Sequence, residues 1–158
     1  MTGKELYFKV HSFGIECYGA SDMRAVYAGY THHICINRIG RKKFPIDDRR
    51  VPLGALPGRV AFSSPVDVSW RTCDGQRHAH ELILDRIFQG KSVLYEEDPR
   101  RIFEPAPFAQ GGPTIIVETI GSTLNVYLDA LIQLQPLEPN GKMLEQRRIR
   151  RLAYTRNF

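Results

Sequence analysis

The chain reads as one mostly β domain, and three features carry that reading. Thr114–Gln135 alternates apolar and polar residues at a period of two, a second alternating pair flanks Asp74-Gly75, and the stretch Arg41–Pro65 is too rich in proline and glycine to sustain a helix or a central strand. The expected architecture is an antiparallel β-sandwich or a twisted sheet of about seven strands. α+β remains open, with one short helix and a C-terminal basic helix. The domain spans 1–158, and 142–158 forms the basic helix or tail.

The strongest element is the hairpin TIIVETIGSTLNVYLDALIQLQ. Leu124, Val126, Leu128, Ala130, Ile132 and Leu134 fall on every second position, which places them on one strand face. Gly121-Ser122 suits a type II′ turn, and the resulting register sets Thr123 opposite Ile120, Val126 opposite Val117, and Leu128 opposite Ile115. Glu118 and Asn125 then meet on the other face, and the apolar face is core. Pro136 and Pro139 end the hairpin.

Taken in order, Leu6–Val10 is a weak first strand, followed by a segment punctuated by Gly14 and Gly19. Ala25–Ile39 is rich in β-branched and aromatic residues and reads as a strand covered on both sides, ended by Gly40. Arg41–Pro65 is expected to be an ordered loop, because Val51, Leu53, Leu56, Val60 and Phe62 are too apolar for a free linker. Asp74-Gly75 turns the second hairpin. Two registers compete there, and the one with Val66, Val68 and Trp70 opposite Leu84, Leu82 and His80 gives the cleaner apolar face. Asp85 is the candidate cap of a short helix, RIFQ, closed by Gly90. Ser92–Tyr95 is a candidate edge strand and Glu96–Pro113 a proline-rich connection. A basic helix is expected over Met143–Tyr154.

A net charge of +5 and a pI of about 9.3 favour acidic partners: nucleic acid, an anionic surface or an acidic protein. The excess lies in Arg38–Arg50 and Arg147–Arg156, where solvated loop and tail are the plainer account. Cys17, Cys35 and Cys73 cannot all pair within one chain, so a reduced, intracellular protein is the simpler expectation, with one bridge still open. Neither an export leader nor a membrane-length apolar run is visible. The expected location is cytoplasmic, or periplasmic if a leader has been removed.

Candidate chemistry is sparse. His78 and His80 share one strand face and could begin a zinc site, with His32, His33, Cys35 or Cys73 as a third ligand; a structural role beside Trp70 is the commoner outcome. Cys35 near His33, and Cys73 near His78, lack any hydrolase signature around them. Asp47-Asp48 and Glu96-Glu97-Asp98 lie beside arginines, which suits ion pairs better than a general acid. Gly111-Gly112 lacks the Lys-Ser/Thr of a phosphate loop, and no cofactor is expected. Arg147, Arg148, Arg150, Arg151 and Arg156, with Tyr154 and Phe158, could engage a phosphate backbone without sequence preference.

Two phrases together resemble a known group: GYTHHICIN over Gly29–Asn37, and VDVSWRT over Val66–Thr72 followed by the Asp-Gly turn. They resemble small bacterial β-rich domains that act as immunity partners of type VI secretion effectors, lipase effectors in particular. The resemblance spans Gly29–Leu84. It implies a non-enzymatic domain that blocks an effector by occupying its active-site cleft, with aromatic and arginine anchors on exposed loops. On that reading the loops Arg41–Arg50 and Glu96–Gln110 form the surface, through Phe44, Arg49, Arg50, Arg100, Arg101, Phe103 and Phe108.

Overall fold

In the computed structural model the described residues are 4–95, 99–109, 111–136, 141 and 144–158. Two larger sheets share one core. The first has five strands: β2 (Val10–Tyr18), β5 (Leu56–Val60), β9 (Thr114–Ile120), β10 (Thr123–Leu134) and β11 (Glu145–Asn157), in the order β11-β10-β9-β2-β5. The second is β4-β3-β6-β7, built from β3 (Ala20–Tyr27), β4 (Tyr30–Ile34), β6 (Val66–Thr72) and β7 (Arg77–Leu82). β1 (Lys4–Tyr7) pairs with β8 (Ser92–Tyr95) in a small third sheet. All neighbours are antiparallel except β2 and β9, which run parallel.

The β9–β10 hairpin has the register its alternation implies, with Val117↔Val126, Ile115↔Leu128 and Glu118↔Asn125. Gly121 has φ +54, as a type II′ turn needs at its first position. Its apolar face, with Phe13 of β2 beside it, meets the second sheet through Met23, Tyr27, Val68 and Trp70, all buried. The Trp70 indole Nε1 donates to the Gly121 carbonyl at 2.9 Å, so the tip of one hairpin is tied to the middle of the other. β10 outruns β9, and the Ile102–Phe108 connection pairs with its free end through bridges at Leu134 and Ile132.

Several expectations are corrected. The tail is not a helix: β11 is a strand paired along β10, from Gln133↔Gln146 to Thr123↔Asn157. Its apolar residues Ile149, Ala153 and Tyr154 gain their burial from β10 and the second sheet, which overrides the helical reading of the same residues. Met143, within the expected helix, lies outside the described residues. Ala25–Ile39 is two strands, because Ala28 (φ +50) and Gly29 (φ +77) make a tight turn between Tyr27 and Tyr30. Cys35 and Asn37 then continue in left-handed backbone.

The second hairpin keeps the expected face with a slipped register: Val66↔Leu82, Val68↔His80 and Trp70↔His78. The chain turns through three residues, Cys73–Gly75, closed by Thr72 N–H donating to the Gln76 carbonyl at 3.0 Å, and this sets Arg71 opposite Arg77. The short helix α1 (Leu84–Phe88) starts one residue before Asp85, so Asp85 lies inside the first turn and is not the cap. Gln89, at φ +49, takes the left-handed closing position ahead of Gly90. Gly14 and Gly19 do not interrupt the first strands. Gly14 sits inside β2 because a Cβ there would fall 2.9 Å from Pro52, and Gly19 (φ +58) turns the chain from one sheet into the other.

Gly40 is packed tightly against backbone. A Cβ at Gly40 would lie 2.2 Å from the Cys17 carbonyl oxygen, whereas one at Gly54 would meet nothing within 4 Å. Gly40→Ala is therefore expected to lower stability in urea unfolding by about 2 kcal/mol or more, with Gly54→Ala within about 0.5 kcal/mol of the parent. Equal stability of the two variants would contradict the packing at Gly40.

Candidate functional site

The outer face of the five-stranded sheet carries an unusual load for a buried surface. Glu118 on β9 and Asn125 and Asp129 on β10 all point there and are 3%, 7% and 4% exposed. Such carboxylates are tolerated only where cations and hydrogen bonds replace water. The segment 41–55 supplies both by lying across the sheet. Pro52 and Ala55 pack on Gly14, and a 3-10 turn over Pro45–Arg49 sits above β9 and β10.

Three ionic anchors hold this segment down. Lys43 Nζ reaches Glu118 at 2.8 Å and Asp48 at 2.6 Å, while Asn125 Nδ2 donates to the second Glu118 oxygen at 3.1 Å. Burial opposes the Lys43 charge, yet hydrogen bonds to Asp48 and Glu118 outweigh it and raise its pKa above the ordinary lysine value. Arg41 grips the Asp47 carboxylate with two bonds, 2.6 and 2.9 Å, and Phe44 N–H adds a third at 2.7 Å. The Arg41 bond, first among these, holds the Asp47 carboxyl well below the usual range. Asp129 accepts from Arg150 at 2.7 Å and from Arg148 at 3.0 Å, and both arginines also donate to carbonyls of the loop, at Asp47, Arg49 and Arg50. Arg41 lies over the Tyr18 ring and Lys43 over the Tyr127 ring, at 5.4 and 5.2 Å.

So held, the segment turns its apolar side chains to solvent. Ile36 (54% exposed), Ile39 (57%), Phe44 (53%), Ile46 (50%) and Leu53 (108%) project among Arg38, Lys42, Arg49 and Arg50. Between the 34–41 stretch and Leu53-Gly54 opens a cleft of about 610 Å³. Ile39 and Leu53 form walls of this cleft, Arg38 and Arg41 line it, and Glu16, Cys17, Tyr18 and Cys35 contribute its remaining surface. Burial, then Glu118 and Asp47, push the half-buried Glu16 carboxyl up from its ordinary 4.5, with Arg41 opposing.

The sequence-based candidates divide. Phe44, Arg49 and Arg50 are exposed on the 41–55 segment. Phe108 does not reach solvent: it packs edge-on against Phe8 in the core, because the 102–108 segment completes the β10 edge. Phe103 is half-buried there, Arg101 bonds Glu145 at 2.7 Å, and Arg100 is exposed beside it, away from the Arg41–Arg50 loop's anchors. Glu96, Glu97, Asp98 and Gln110 lie outside the described residues. Asp47 and Asp48 are neutralised by Arg41 and Lys43 rather than by Arg49-Arg50.

The C-terminal arginines are not the face of a helix. Arg148 and Arg150 are committed to Asp129, Arg156 lies over the Phe158 ring at 4.8 Å, and Arg147 and Arg151 are exposed on the edge strand. The His78 ring packs at a tilt against Trp70 and Phe158, and His80 Nε2 meets Tyr154 Oη at 3.0 Å. Burial, and then Arg156, lower the His80 pKa. Among the described residues no group of three or more His, Cys, Asp or Glu is arranged to hold a metal ion. Gly112 approaches the Val10 backbone so closely that a Cβ would lie 2.1 Å from its carbonyl oxygen, which accounts for the Gly-Gly pair structurally.

The sheet-face carboxylates were legible in the sequence only as polar positions of an alternating strand. Lys43 and Arg41 lay in a run read as solvated. No local pattern joins Lys43 to Glu118, since the contact forms only when the loop crosses the sheet. Comparison with protein-family models, curated proteins and solved structures finds no match, so the functional reading rests on the residues themselves. No helix among the described residues is long and apolar enough to cross a membrane.

Two outcomes test the site. Asp129→Ala strands two arginines on a covered face and is expected to cost about 2–4 kcal/mol in urea unfolding, against about 0.5 kcal/mol or less for Arg151→Ala. The raised Glu16 pKa gives a pH signature. The unfolded chain titrates near 4.5 while the folded chain keeps the proton to higher pH, so folding loses stability as pH rises through that window. Glu16→Gln should exceed the parent by roughly 0.5 kcal/mol at pH 7, screening by solvent keeping the gain small, and match it at acid pH. No gain at pH 7 would contradict a carboxylate held against its charge.

Proposed function

We propose that this chain is a non-enzymatic protein-binding domain whose working surface is the clamped segment 36–53. The observation that carries the reading is the exposure of Phe44, Ile46 and Leu53 on a segment fixed by buried ion pairs, with Ile36 and Ile39 exposed beside them on a stretch held by backbone hydrogen bonds. Apolar side chains on mobile loops are common, but a rigid apolar patch ringed by arginines has the composition of an interface hot spot. Arg38, Lys42, Arg49 and Arg50 give it a basic rim, which fits an acidic partner and speeds encounter with one. The resemblance of the Gly29–Asn37 and Val66–Thr72 phrases to immunity domains supplies the class of partner. The domain neutralises a bacterial effector by covering its active-site cleft, with Phe44 and Leu53 as anchors and the arginines as rim contacts.

The experiment is co-purification of the tagged chain from its native host at two salt concentrations, with the captured protein identified and its activity titrated. A single stoichiometric protein that survives higher salt, is inhibited at one equivalent, and is lost with Phe44→Ala or Leu53→Ala is the expected result. Both variants should keep the parent thermal midpoint, since both side chains are exposed, and should weaken binding about tenfold or more. Capture that vanishes with salt and yields only nucleic acid would instead assign the function to the arginines of β11, and binding insensitive to both variants would place the interface elsewhere.

A further inference from the structure

The three cysteines, far apart in sequence, gather at the corner where β2 passes into β3. Cys17 lies in β2, the Cys35 thiol donates to the Cys17 carbonyl at 3.7 Å, and the Cys73 thiol donates to the Gly19 carbonyl at 3.3 Å. The first two are further related. Both line the cleft of the binding platform, and Gly40 packs on the pair, since a Cβ there would sit 2.2 Å from the Cys17 oxygen and 3.0 Å from Cys35 Sγ. Cys35 is among the immediate neighbours of the Cys17 thiol. Cys73 is exposed and lines no part of the cleft.

We propose that Cys17 and Cys35 form a reversible disulfide, made by a peroxide, that fastens the 34–41 wall of the cleft to β2. The division of labour follows from position. Cys35 is partly open at the cleft, whereas Cys17 is buried, and burial first of all pushes its thiol up to about 12, so it is a poor first nucleophile. The Cys35 thiolate attacks one peroxide oxygen; the S–O bond forms, the O–O bond breaks, and the departing hydroxide takes up a proton to become water. The Cys17 sulfur then attacks the sulfenic sulfur as its own proton passes to the leaving hydroxide. The S–S bond forms, the S–O bond breaks, and a second water departs. The two thiols are oxidised by two electrons and the peroxide is reduced by the same two.

Cys35 itself stands in left-handed backbone at φ +53, a conformation that a non-glycine residue keeps only when its surroundings hold it there. The 34–40 stretch is also bound to the corner through Gly19 N–H to the Gly40 carbonyl and Gly40 N–H to the Ala20 carbonyl, at 3.0 and 2.8 Å. A bridge therefore closes over segments already in contact. It would convert a wall held by hydrogen bonds into one held covalently. That this tunes partner binding rests on the platform reading; formation of the bridge does not.

The test is peroxide titration of the full chain followed by tryptic mapping without reduction. Trypsin separates Cys17, in Val10–Arg24, from Cys35, in Ala25–Arg38, and from Cys73, in Thr72–Arg77. The expected product joins the first two peptides, in the parent and in Cys73→Ser alike, and raises the thermal midpoint by about 3–8 °C until a dithiol reverses it. Cys35→Ser should give no joined peptide, and Cys17→Ser should accumulate a Cys35 sulfenic acid trapped by dimedone. A bridge that includes Thr72–Arg77, direct passage of Cys35 to sulfinic acid in the parent, or a joined peptide with no rise in the midpoint would overturn the proposal.

Discussion

Burial of the β9–β10 hairpin on both faces is the constraint on which the rest of this structure depends. One face meets the second sheet with aliphatic side chains, as its alternation requires. The other presents Glu118, Asn125 and Asp129, and these cannot be covered by an apolar layer without stranding charge. Only a cationic cover serves. Lys43, Arg148 and Arg150 provide it from two distant parts of the chain, and in doing so they fix the path of the 41–55 segment, which Arg41–Asp47 braces from within. The net positive charge thus has a structural use at its two densest runs before it has any functional one.

How much of this was legible follows from the range over which each interaction acts. The β9–β10 register could be read because a two-residue turn and a period of two determine it locally. The second hairpin's face was legible for the same reason, but its register depended on loop length, which Cys73–Gln76 leaves ambiguous in sequence. The β4 turn was missed because Ala28, unlike Asn or Gly, carries no signal for left-handed backbone. β11 was misread because Leu144, Ile149 and Leu152 fit a helix as well as they fit an edge strand, and only pairing with β10 decides between the two. The platform was visible in part, through Phe44, Arg49 and Arg50. Ile36 and Ile39 were taken for strand and Leu53 for ordered loop, and their exposure depends on how the loop crosses the sheet, which no local pattern encodes.

The pairing of β10 explains why the two expected binding loops behave so differently. Both are proline-rich, basic and punctuated by aromatics. The 99–109 segment lies beside the unpaired end of β10, so its backbone is drawn into the sheet and Ile102 and Phe108 into the core. The 41–55 segment meets the sheet's face rather than its edge. There it is met by side chains, not by unpaired backbone, so Lys43 and Asp47 turn inward while Phe44, Ile46 and Leu53 face outward. The inversion is a direct result of covering a charged surface.

Under the proposed binding role, that inversion has an energetic consequence for the 36–53 surface. A loop that must order itself on binding loses much of its contact energy to conformational entropy, at about 1–2 kcal/mol for each backbone residue fixed. Here the ordering is accomplished during folding by Lys43–Glu118, Arg41–Asp47 and the Asp129 arginines. Leu53 and Phe44 are then presented by a scaffold that does not have to rearrange. The corner at Gly40, where Cys17 and Cys35 meet, is held by backbone hydrogen bonds and thiol contacts rather than by ion pairs. A covalent change there would add rigidity that the anchors at Lys43 and at Arg148 and Arg150, bound farther along the segment, do not supply.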